Sequence, residues 1–481
     1  ISMQKARERL KFEELFYIQL QILRQMKRRE QNEGFRMPIV GKAFHAQYNV
    51  LPFPLTNAQK RVLREIQTDL KSGKQMNRLL QGDVGSGKTI VALLAALLAV
   101  DNGYQACIMA PTEILANQHY ETITKLLKDS IVSCQILTGS TTTKQRQSLH
   151  EQLRNGEINI LIGTHALIEK EVQFANLGLC IIDEQHRFGV AQRAKLWEKN
   201  IRPPHVLVMT ATPIPRTLAM TVYGDLHVSI IDELPPGRKP VQTLHYNIER
   251  RVTINQFITQ QIELGRQIYV VYPLIQENEK LDLQDLQNGY NLLCQTFPNY
   301  RISMVHGQMR GKDKDEQMAR FAKGDTQILV ATTVIEVGVN VPNASVMIIE
   351  NAERFGLSQL HQLRGRVGRG ADQSYCLLLT KLEISKDTRK RMDIMVATND
   401  GFRIAEADLQ LRGPGDLEGT QQSGLPFDLH IASLTHDGQI LEIARQTALA
   451  ILDADPLLEE MHNRIYKQRL DHIRQNVVNW G

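Results

Sequence analysis

A stretch of eight residues, 82–89, has the residue types and spacing of a phosphate-binding loop. It reads GDVGSGKT and fits the pattern G-x-x-x-x-G-K-[ST]. Glycines let backbone N–H groups approach phosphates, the lysine reaches the β- and γ-phosphates, and the threonine hydroxyl binds Mg²⁺. The pattern therefore predicts an ATP site that includes Gly82, Asp83, Val84, Gly85, Ser86, Gly87, Lys88 and Thr89.

The flanks of this loop and a second acidic stretch support the same chemistry. Residues 78–81 can form a short strand, and the apolar run 90–100 suits a buried helix. A glycine turn that binds no nucleotide would show the same local pattern. However, the apolar run 179–182 ends in Asp183 and Glu184, and a carboxylate at the carboxyl end of a strand is where a second Mg²⁺ contact belongs. Together the two stretches predict an NTPase.

The composition is that of a globular protein with several domains. The chain has 481 residues and a net charge of +5, which agrees with a polyanionic partner without demonstrating one. Five scattered cysteines without a C-x-x-C pair predict reduced core residues of a cytoplasmic protein. No apolar run reaches the length of a membrane span, so we expect no membrane association. The chain begins at Ile1, as a fragment would.

Strand and helix patterns alternate twice along the chain, on either side of a Pro-rich break at residues 234–237. This alternation predicts an α/β fold with two doubly wound parallel sheets in tandem. The candidate strands are 106–110, 158–163, 179–183 and 205–210, followed by 267–272, 302–306, 327–331, 346–349 and 375–379. The expected regions are an N-terminal helix and linker (1–54), a first lobe (55–232), a second lobe (233–390) and a helical C-terminal region (391–481).

Further motifs follow in an order that resembles superfamily-two helicases over roughly residues 50–380. Gln59 with Phe53 looks like an adenine-recognition element, and TATPIPRTL (210–218) and QLHQLRGRVGRG (359–370) follow predicted strands. The resemblance implies two RecA-like lobes that hydrolyse ATP with Mg²⁺ between them.

The resemblance narrows to the RecG family of branched-DNA helicases. GDVGSGKT, DEQHRFGV, TATPIPRTL and QLHQLRGRVGRG are similar to that family, and residues 401–424 resemble a translocation motif that it shares with the transcription–repair coupling factor. Ser86 and Gln185 favour RecG over the coupling factor. The resemblance implies an ATP-dependent translocase and helicase acting on replication forks and Holliday junctions in recombination and repair. The alternatives are the translocase portion of a coupling factor and a duplex RNA helicase.

Attack of water on a γ-phosphate assigns roles to particular side chains. Lys88 would neutralise the phosphates, Thr89 and Asp183 would hold Mg²⁺, and Glu184 would position or deprotonate the water. Arg366 and Arg369, from the second lobe, would stabilise the transition state. The alternative is that these arginines only form salt bridges in a surface loop. Gly338 is a further candidate for ATP binding. His186 as a metal ligand is disfavoured because it lacks neighbours at metal-binding spacing.

The resemblance also implies residues for coupling and for DNA contact, the latter to phosphates and therefore independent of sequence. The coupling candidates are Gln185, His186, Thr210, Thr212, Arg412 and Gln422. The DNA-binding candidates are Thr112, Gly139, Thr164, His165 and Thr332. We expect a monomer in the bacterial cytoplasm, associated with the nucleoid, with single-strand-binding protein as a candidate partner.

Three departures from the family pattern stand out. Family members carry an N-terminal wedge domain, and no such domain precedes the helix expected at residues 1–30, so we expect little preference for junctions over plain duplex. Asn340 stands where an Asp is common, and Gln421 where an Arg is common. We expect the helix at residues 1–30 to pack against the first lobe, because its apolar stripe needs cover.

Overall fold

The computed structural model describes residues 3–30, 33–184, 202–222, 224, 226–235, 237, 239–273, 279–332, 341–368, 370, 372–412 and 429–478. Within these residues the chain forms two parallel sheets and several helices outside them.

The first sheet has seven strands in the order β3-β4-β2-β5-β6-β1-β7, and every pairing between them is parallel. The strands are β1 (Asn77–Gly82), β2 (Gln105–Met109), β3 (Cys134–Leu137), β4 (Ile160–Gly163), β5 (Leu177–Asp183), β6 (His205–Thr210) and β7 (His227–Ile231). The helices of this half are α1 (Met3–Glu30), α2 (Lys42–Asn49), α3 (Asn57–Lys71), α4 (Lys88–Asp101), α5 (Glu113–Leu126), α6 (Thr143–Arg154) and α7 (Arg216–Val222).

The second sheet has six strands in the order β10-β11-β9-β12-β13-β8, again with parallel pairing throughout. The strands are β8 (Gln242–Asn247), β9 (Gln267–Tyr272), β10 (Ile302–Val305), β11 (Ile328–Thr332), β12 (Ala344–Ile349) and β13 (Tyr375–Thr380). The helices are α8 (Arg251–Glu263), α9 (Glu279–Thr296), α10 (Gly311–Ala322), α11 (Leu357–Arg364), α12 (Lys386–Ala397), α13 (Gly401–Arg412), α14 (Gly438–Ala454) and α15 (Arg464–Val478).

Each sheet is covered by apolar side chains on both faces. Along β5, Leu179 and Ile181 join one core while Cys180 and Ile182 join the core on the opposite face. The second sheet likewise separates two cores. A strand buried on both faces is continuously apolar, which is why β5 is recognisable in the sequence. The predicted fold class, two doubly wound lobes with an N-terminal helix and a helical C-terminal region, is confirmed.

The sequence prediction missed four elements. β3, β7 and β8 were not among the candidate strands, and the expected connector contains α2. The carboxylate of Asp101, at the end of α4, accepts hydrogen bonds from the backbone N–H groups of Gly41, Ala43 and Phe44 at 2.9–3.0 Å. Since this cap comes from 60 residues along the chain, the local pattern around α2 does not reveal the helix.

The position of α1 differs from the prediction. Its buried residues Leu15, Leu20 and Leu23 pack in one cluster with Leu441 and Ala444 of α14, so the C-terminal region covers most of the apolar stripe. α1 also contacts the first lobe: Gln19 Nε2 donates to the carbonyl of Met220 on α7 at 3.1 Å, and a Cβ on Gly224 would lie 2.7 Å from Ile22 Cγ2. The apolar face of α1 is buried, as expected, but mainly against α14, which offers a longer apolar face than α7 does.

No helix in the described ranges is long and apolar enough to cross a membrane.

Candidate active site between the lobes

The phosphate-binding loop connects β1, which ends at Gly82, to α4, which begins at Lys88. Gly85 and Gly87 have φ angles of 76° and 88°, in the left-handed region that favours glycine. The following helix is buried on all sides from Ile90 to Ala99. A fully apolar helix held within the core fixes its N-terminus, and with it the loop, at the carboxyl edge of the sheet.

The Lys88 side chain folds back over its own loop. Its Nζ donates to the carbonyl oxygens of Gly82 at 2.7 Å and Asp83 at 2.9 Å. The ammonium group is thus held at the mouth of the loop, where the phosphates of a nucleotide would lie.

Gln59, expected to recognise adenine, lies against the phosphate-binding loop. It is 1% exposed, its Nε2 donates to the Ser86 carbonyl at 2.8 Å, and its Oε1 accepts from Thr56 N at 2.9 Å. The Gln59 amide therefore supports both the N-terminus of α3 and the loop backbone. Phe53, the other candidate for the base, is 37% exposed.

Asp183 ends β5 and is nearly buried. Its Oδ2 lies 2.8 Å from Nε2 of His119 on α5. Burial alone would raise the pKa of Asp183, but the hydrogen bond and charge of His119, with a contribution from Lys88, lower it below its usual value. Asp183 is therefore ionised at neutral pH.

Glu184 follows with a φ of 54°, which is unusual for a residue other than glycine. Its backbone N donates to Met209 O at 3.0 Å, and its Oε1 accepts from Ala211 N at 3.2 Å. Burial, and then the charge of Asp183, raise the pKa of Glu184 to about 7. The two adjacent carboxylates thus differ in proton affinity, as in sites that separate a metal contact from a base.

The second lobe meets this site through α11 and the turn after it. Gln362 Nε2 donates to Thr212 Oγ1 at 3.2 Å, and the Thr210 hydroxyl bonds within the same turn to Thr212 O at 3.3 Å. The positive charge of Arg366 lowers the pKa of Glu184, acting against the effect of burial. Arg366 of the second lobe therefore lies within electrostatic range of the Glu184 carboxylate.

Sequence reasoning missed three polar residues of this site. His119 contacts Asp183, and His361 Nε2 lies 2.6 Å from Asp83 Oδ1. Burial would raise the pKa of Asp83, but the hydrogen bond from His361 lowers it, with smaller contributions from the Val84 N–H and from Lys88. Arg364 is 2% exposed and donates to the carbonyls of Met395 and Thr398. No spacing rule links these residues to their partners, although His361 does stand inside the QLHQLRGRVGRG motif.

The DNA-binding candidates of the first lobe lie on loops after neighbouring strands. Thr112 caps α5, where its Oγ1 accepts from Leu115 N at 3.3 Å. A Cβ on Gly139 would lie 2.7 Å from Glu113 Oε1, which also accepts from Ser140 N at 3.1 Å. The loops after β2 and β3 are therefore tied together.

The remaining candidates for DNA contact follow β4 and β11. Thr164, 2% exposed, precedes a short 3-10 helix that begins at His165, and Thr332, 0% exposed, ends β11. Because β2, β3 and β4 form one side of the first sheet, their loops share an edge, whereas Thr332 belongs to the second sheet.

Several candidates lie outside the described residues. These are Gln185, His186, Gly338, Arg369 and Gln422, the side chain of Arg412, and the departures Asn340 and Gln421.

Three family models match successive parts of the chain. Residues 56–221 match the DEAD/DEAH box helicase model, and residues 250–371 match the helicase conserved C-terminal domain. Residues 398–481 match the model described as ATP-dependent DNA helicase RecG, domain 3, C-terminal. The last match includes α13, α14 and α15.

Curated relatives and a solved structure agree with these matches. The chain is 51% identical to the ATP-dependent DNA helicase RecG of Synechocystis sp. over 456 residues, which are 94% of this chain and 54% of that one. It is 48% identical to RecG of Bacillus subtilis over 472 residues, 98% of this chain and 69% of that one.

A structure of RecG bound to a three-way DNA junction shares 45% identity and a TM-score of 0.75, covering 92% of this chain and 57% of that one. The chain thus spans between about half and two thirds of the length of these relatives. On this identity, and on the order of its motifs, the chain belongs to the RecG family of ATP-dependent DNA helicases.

Proposed function

We propose that this chain is the motor portion of an ATP-dependent translocase and helicase that acts on branched DNA, such as replication forks and Holliday junctions, in recombination and repair. The observation that carries the proposal is that the turn with Arg366 of the second lobe packs on the phosphate-binding loop of the first, where a Cβ on Gly365 would lie 2.8 Å from Val84 Cβ. Lys88, Asp183 and Glu184 belong to the same site, and the charge of Arg366 acts on Glu184. The proposed lobe boundaries are residues 55–232 and 233–390, with the linker before them and the translocation region (391–481) after them.

The donor set suits Mg²⁺ held together with nucleotide phosphates. Asp183 offers one ionised carboxylate at a strand end, and Thr89 offers a hydroxyl at the start of α4. The described residues contain no group of three or more His, Cys, Asp or Glu that could hold a metal, and Mg²⁺ in nucleotide sites relies on one or two carboxylates with phosphates and water. The bound ion would neutralise charge on the β- and γ-phosphates.

The protein groups would then act on the attacking water and on the transferred phosphoryl group. Glu184 is a stronger base than an ordinary carboxylate because its pKa is raised to about 7, so it would orient the water and take its proton. Lys88 would bind the γ-phosphate oxygens. Arg366, joined by Arg369, would stabilise the charge that spreads in the transition state, an effect on the order of 10³–10⁵ in rate for arginine fingers.

Hydrolysis would be coupled to movement through contacts that join the lobes. The Gln362–Thr212 bond connects α11 with the turn after β6, so a shift of the second lobe would reach the first sheet directly. We assign Gln185, His186 and Thr210 to this coupling, and Gly338 to the nucleotide. Arg412 and Gln422 would pass the motion on to duplex DNA through the segment after α13.

DNA contact would run along the loops at Thr112, Gly139, Thr164 and His165 in one lobe and at Thr332 in the other. Contacts with phosphates are independent of sequence and weaken with salt. We further propose a monomer that works near the bacterial nucleoid, with single-strand-binding protein as a partner. The junction-bound RecG structure supports branched DNA as the substrate.

An ATPase assay with equal lengths of three-way junction, duplex DNA, single-stranded DNA and duplex RNA tests the proposal. We expect DNA to stimulate hydrolysis and RNA to have little effect, with Arg366→Ala abolishing the stimulation. Equal stimulation by duplex RNA would favour the RNA-helicase alternative. An absence of DNA-stimulated hydrolysis in the folded protein would contradict the assignment of the site.

A further inference from the structure

A direct hydrogen bond joins the second lobe to the phosphate-binding loop. His361, on α11, is 4% exposed, and its Nε2 lies 2.6 Å from Asp83 Oδ1. The same Asp83 oxygen accepts from Val84 N at 2.7 Å. The carboxylate therefore holds the backbone of the loop and the second lobe at once.

Arg364 determines which nitrogen of His361 carries the proton. Its Nη2 lies 3.0 Å from His361 Nδ1, and a guanidinium can only donate hydrogen bonds. Nδ1 must then accept, so the proton is on Nε2 and is donated to Asp83. Because Arg364 is itself fixed by the carbonyls of Met395 and Thr398, the imidazole is oriented from the core of the second lobe.

Two glycines allow this close approach. A Cβ on Gly365 would lie 2.8 Å from Val84 Cβ, so the turn that carries Arg366 packs on the loop itself. A Cβ on Gly401, the first residue of α13, would lie 2.6 Å from both His361 Nε2 and Pro213 Cγ. The helix that opens the translocation motif at residues 401–424 thus begins against the His361 ring.

We propose that His361 is a positioning residue that latches the second lobe onto the phosphate-binding loop through Asp83 and so presents Arg366 to the nucleotide. This inference rests on the proposed function of the site. His361 does not reach the nucleotide phosphates; it acts through Asp83. Since α13 starts against the same ring, a displacement of α13 opens the latch, which makes hydrolysis sensitive to the first helix of the translocation motif.

The test compares three substitutions of His361 in the whole chain. His361→Phe keeps the ring and removes the donor, His361→Asn is too short to reach Asp83, and His361→Gln keeps an N–H at a similar reach. A hydrogen bond to a charged group is worth enough to expect kcat of DNA-stimulated hydrolysis to fall about tenfold in the Phe and Asn variants. The Gln variant should recover most of it. Affinity for Mg-ADP should change by less than about twofold, because the substitutions weaken the contact between the lobes and not the phosphate-binding loop itself.

Gly401→Ala provides an independent arm, with Gly311→Ala as its matched control. A Cβ on Gly311, at the start of α10, meets nothing within 4 Å. We expect Gly401→Ala to lower kcat as His361→Phe does and Gly311→Ala to leave it unchanged.

Three results would overturn the latch: full kcat in the Phe and Asn variants, failure of the Gln variant to recover in a protein with normal thermal melting, or equal effects of the two glycine substitutions. If the Phe variant melts below the assay temperature, the Asn and Gln variants decide between the same outcomes. A wild-type chain without DNA-stimulated hydrolysis would instead contradict the proposed function.

Discussion

The two lobes place carboxylates at corresponding points of their sheets but use them differently. The strand orders β3-β4-β2-β5-β6-β1 and β10-β11-β9-β12-β13-β8 correspond position by position, so β12 stands where β5 does. β5 ends in Asp183 and is followed by Glu184, whereas β12 is followed by Glu350, which is 5% exposed. The architecture alone therefore does not make an active site.

The two lobes use these carboxylates differently because the cation at the start of the corresponding helix, Lys88 or Arg251, has different partners. α4 begins at Lys88 after β1, and α8 begins at Arg251 after β8, which is the corresponding strand. Arg251 binds both oxygens of Glu350, at 2.5 and 2.7 Å, whereas Lys88 donates to the carbonyls of its own loop. In the second lobe the cation and the carboxylate form a bidentate ion pair, whereas in the first lobe the hydrogen bonds of Lys88 hold its ammonium group on the phosphate-binding loop.

The largest expected effect is on Lys88. We expect Lys88→Ala to reduce ATP turnover to background, a loss on the order of 10³ or more, because an unscreened γ-phosphate charge is left in a partly buried site. The protein should melt normally, since the hydrogen bonds of Lys88 to the Gly82 and Asp83 carbonyls lie within a surface loop and not in a hydrophobic core. Steady-state hydrolysis together with thermal melting checks both expectations. Normal turnover in the folded variant would show that the loop does not bind the nucleotide.

Glu184→Gln should slow hydrolysis by a factor on the order of 10²–10³ while ATP affinity stays close to normal. The amide keeps the shape of the side chain and the acceptor for Ala211 N, but it cannot take a proton from water. Single-turnover hydrolysis and equilibrium nucleotide binding separate the two quantities. A fully active variant would mean that another group positions the water.

Glu350→Gln makes the same chemical change in the second lobe, where we expect it to affect stability and not hydrolysis. Hydrolysis should persist, while the free energy of unfolding should fall by about 2 kcal/mol, less than for a fully buried pair because the Arg251 side chain is partly exposed. Denaturant unfolding and ATPase assays on the same preparation provide the measurement. Lost hydrolysis with unchanged stability would remove the contrast between the lobes.

The smallest expected effect concerns acid stability. Burial lowers the pKa of His205 in the first lobe and of His245 in the second from the ordinary 6.5. Each fold therefore favours the neutral ring, and this stability is present above about pH 6.5 and lost as the pH falls below it. His205 is 0% exposed and His245 only half-buried, so His205→Gln should flatten the loss of stability between pH 7 and 5 more than His245→Gln. Urea unfolding midpoints at pH 7 and pH 5 measure the loss of stability in each variant. A larger flattening in His245→Gln than in His205→Gln would contradict burial as the cause.

The sequence predicted the central strands well and the edge strands poorly. β5 is apolar from Leu177 to Ile182 and β9 from Ile268 to Val271, because these stretches are buried on both faces. β3, β7 and β8 lie at the edges of their sheets, where an exposed side allows polar residues such as Gln135 and His227. Their short mixed patterns resemble loops, so only the presence of a neighbouring strand identifies them.

The site divides in the same way between local and distant determinants. Lys88, Asp183 and Glu184 were predictable because a strand and a turn place them, and both are encoded locally. His119 and His361 were not, because their partners lie 64 and 278 residues away in the sequence. Gln59 was singled out by a local motif, and the structure adds a bond from its Nε2 to the Ser86 carbonyl, 27 residues away, that the motif does not reveal.

The packing of α1 on α14 has a consequence for synthesis on the ribosome. Glu14 accepts hydrogen bonds from the backbone N–H groups of His430, Ile431 and Ala432, 416 to 418 residues later in the chain. At typical elongation speeds of 5–20 residues per second, α1 emerges on the order of 20–80 s before these partners exist. Throughout that interval the side chains of Leu15, Leu20 and Leu23 lack their final cover, so the nascent chain presents an apolar helix to chaperones until the residues of α14 have been made.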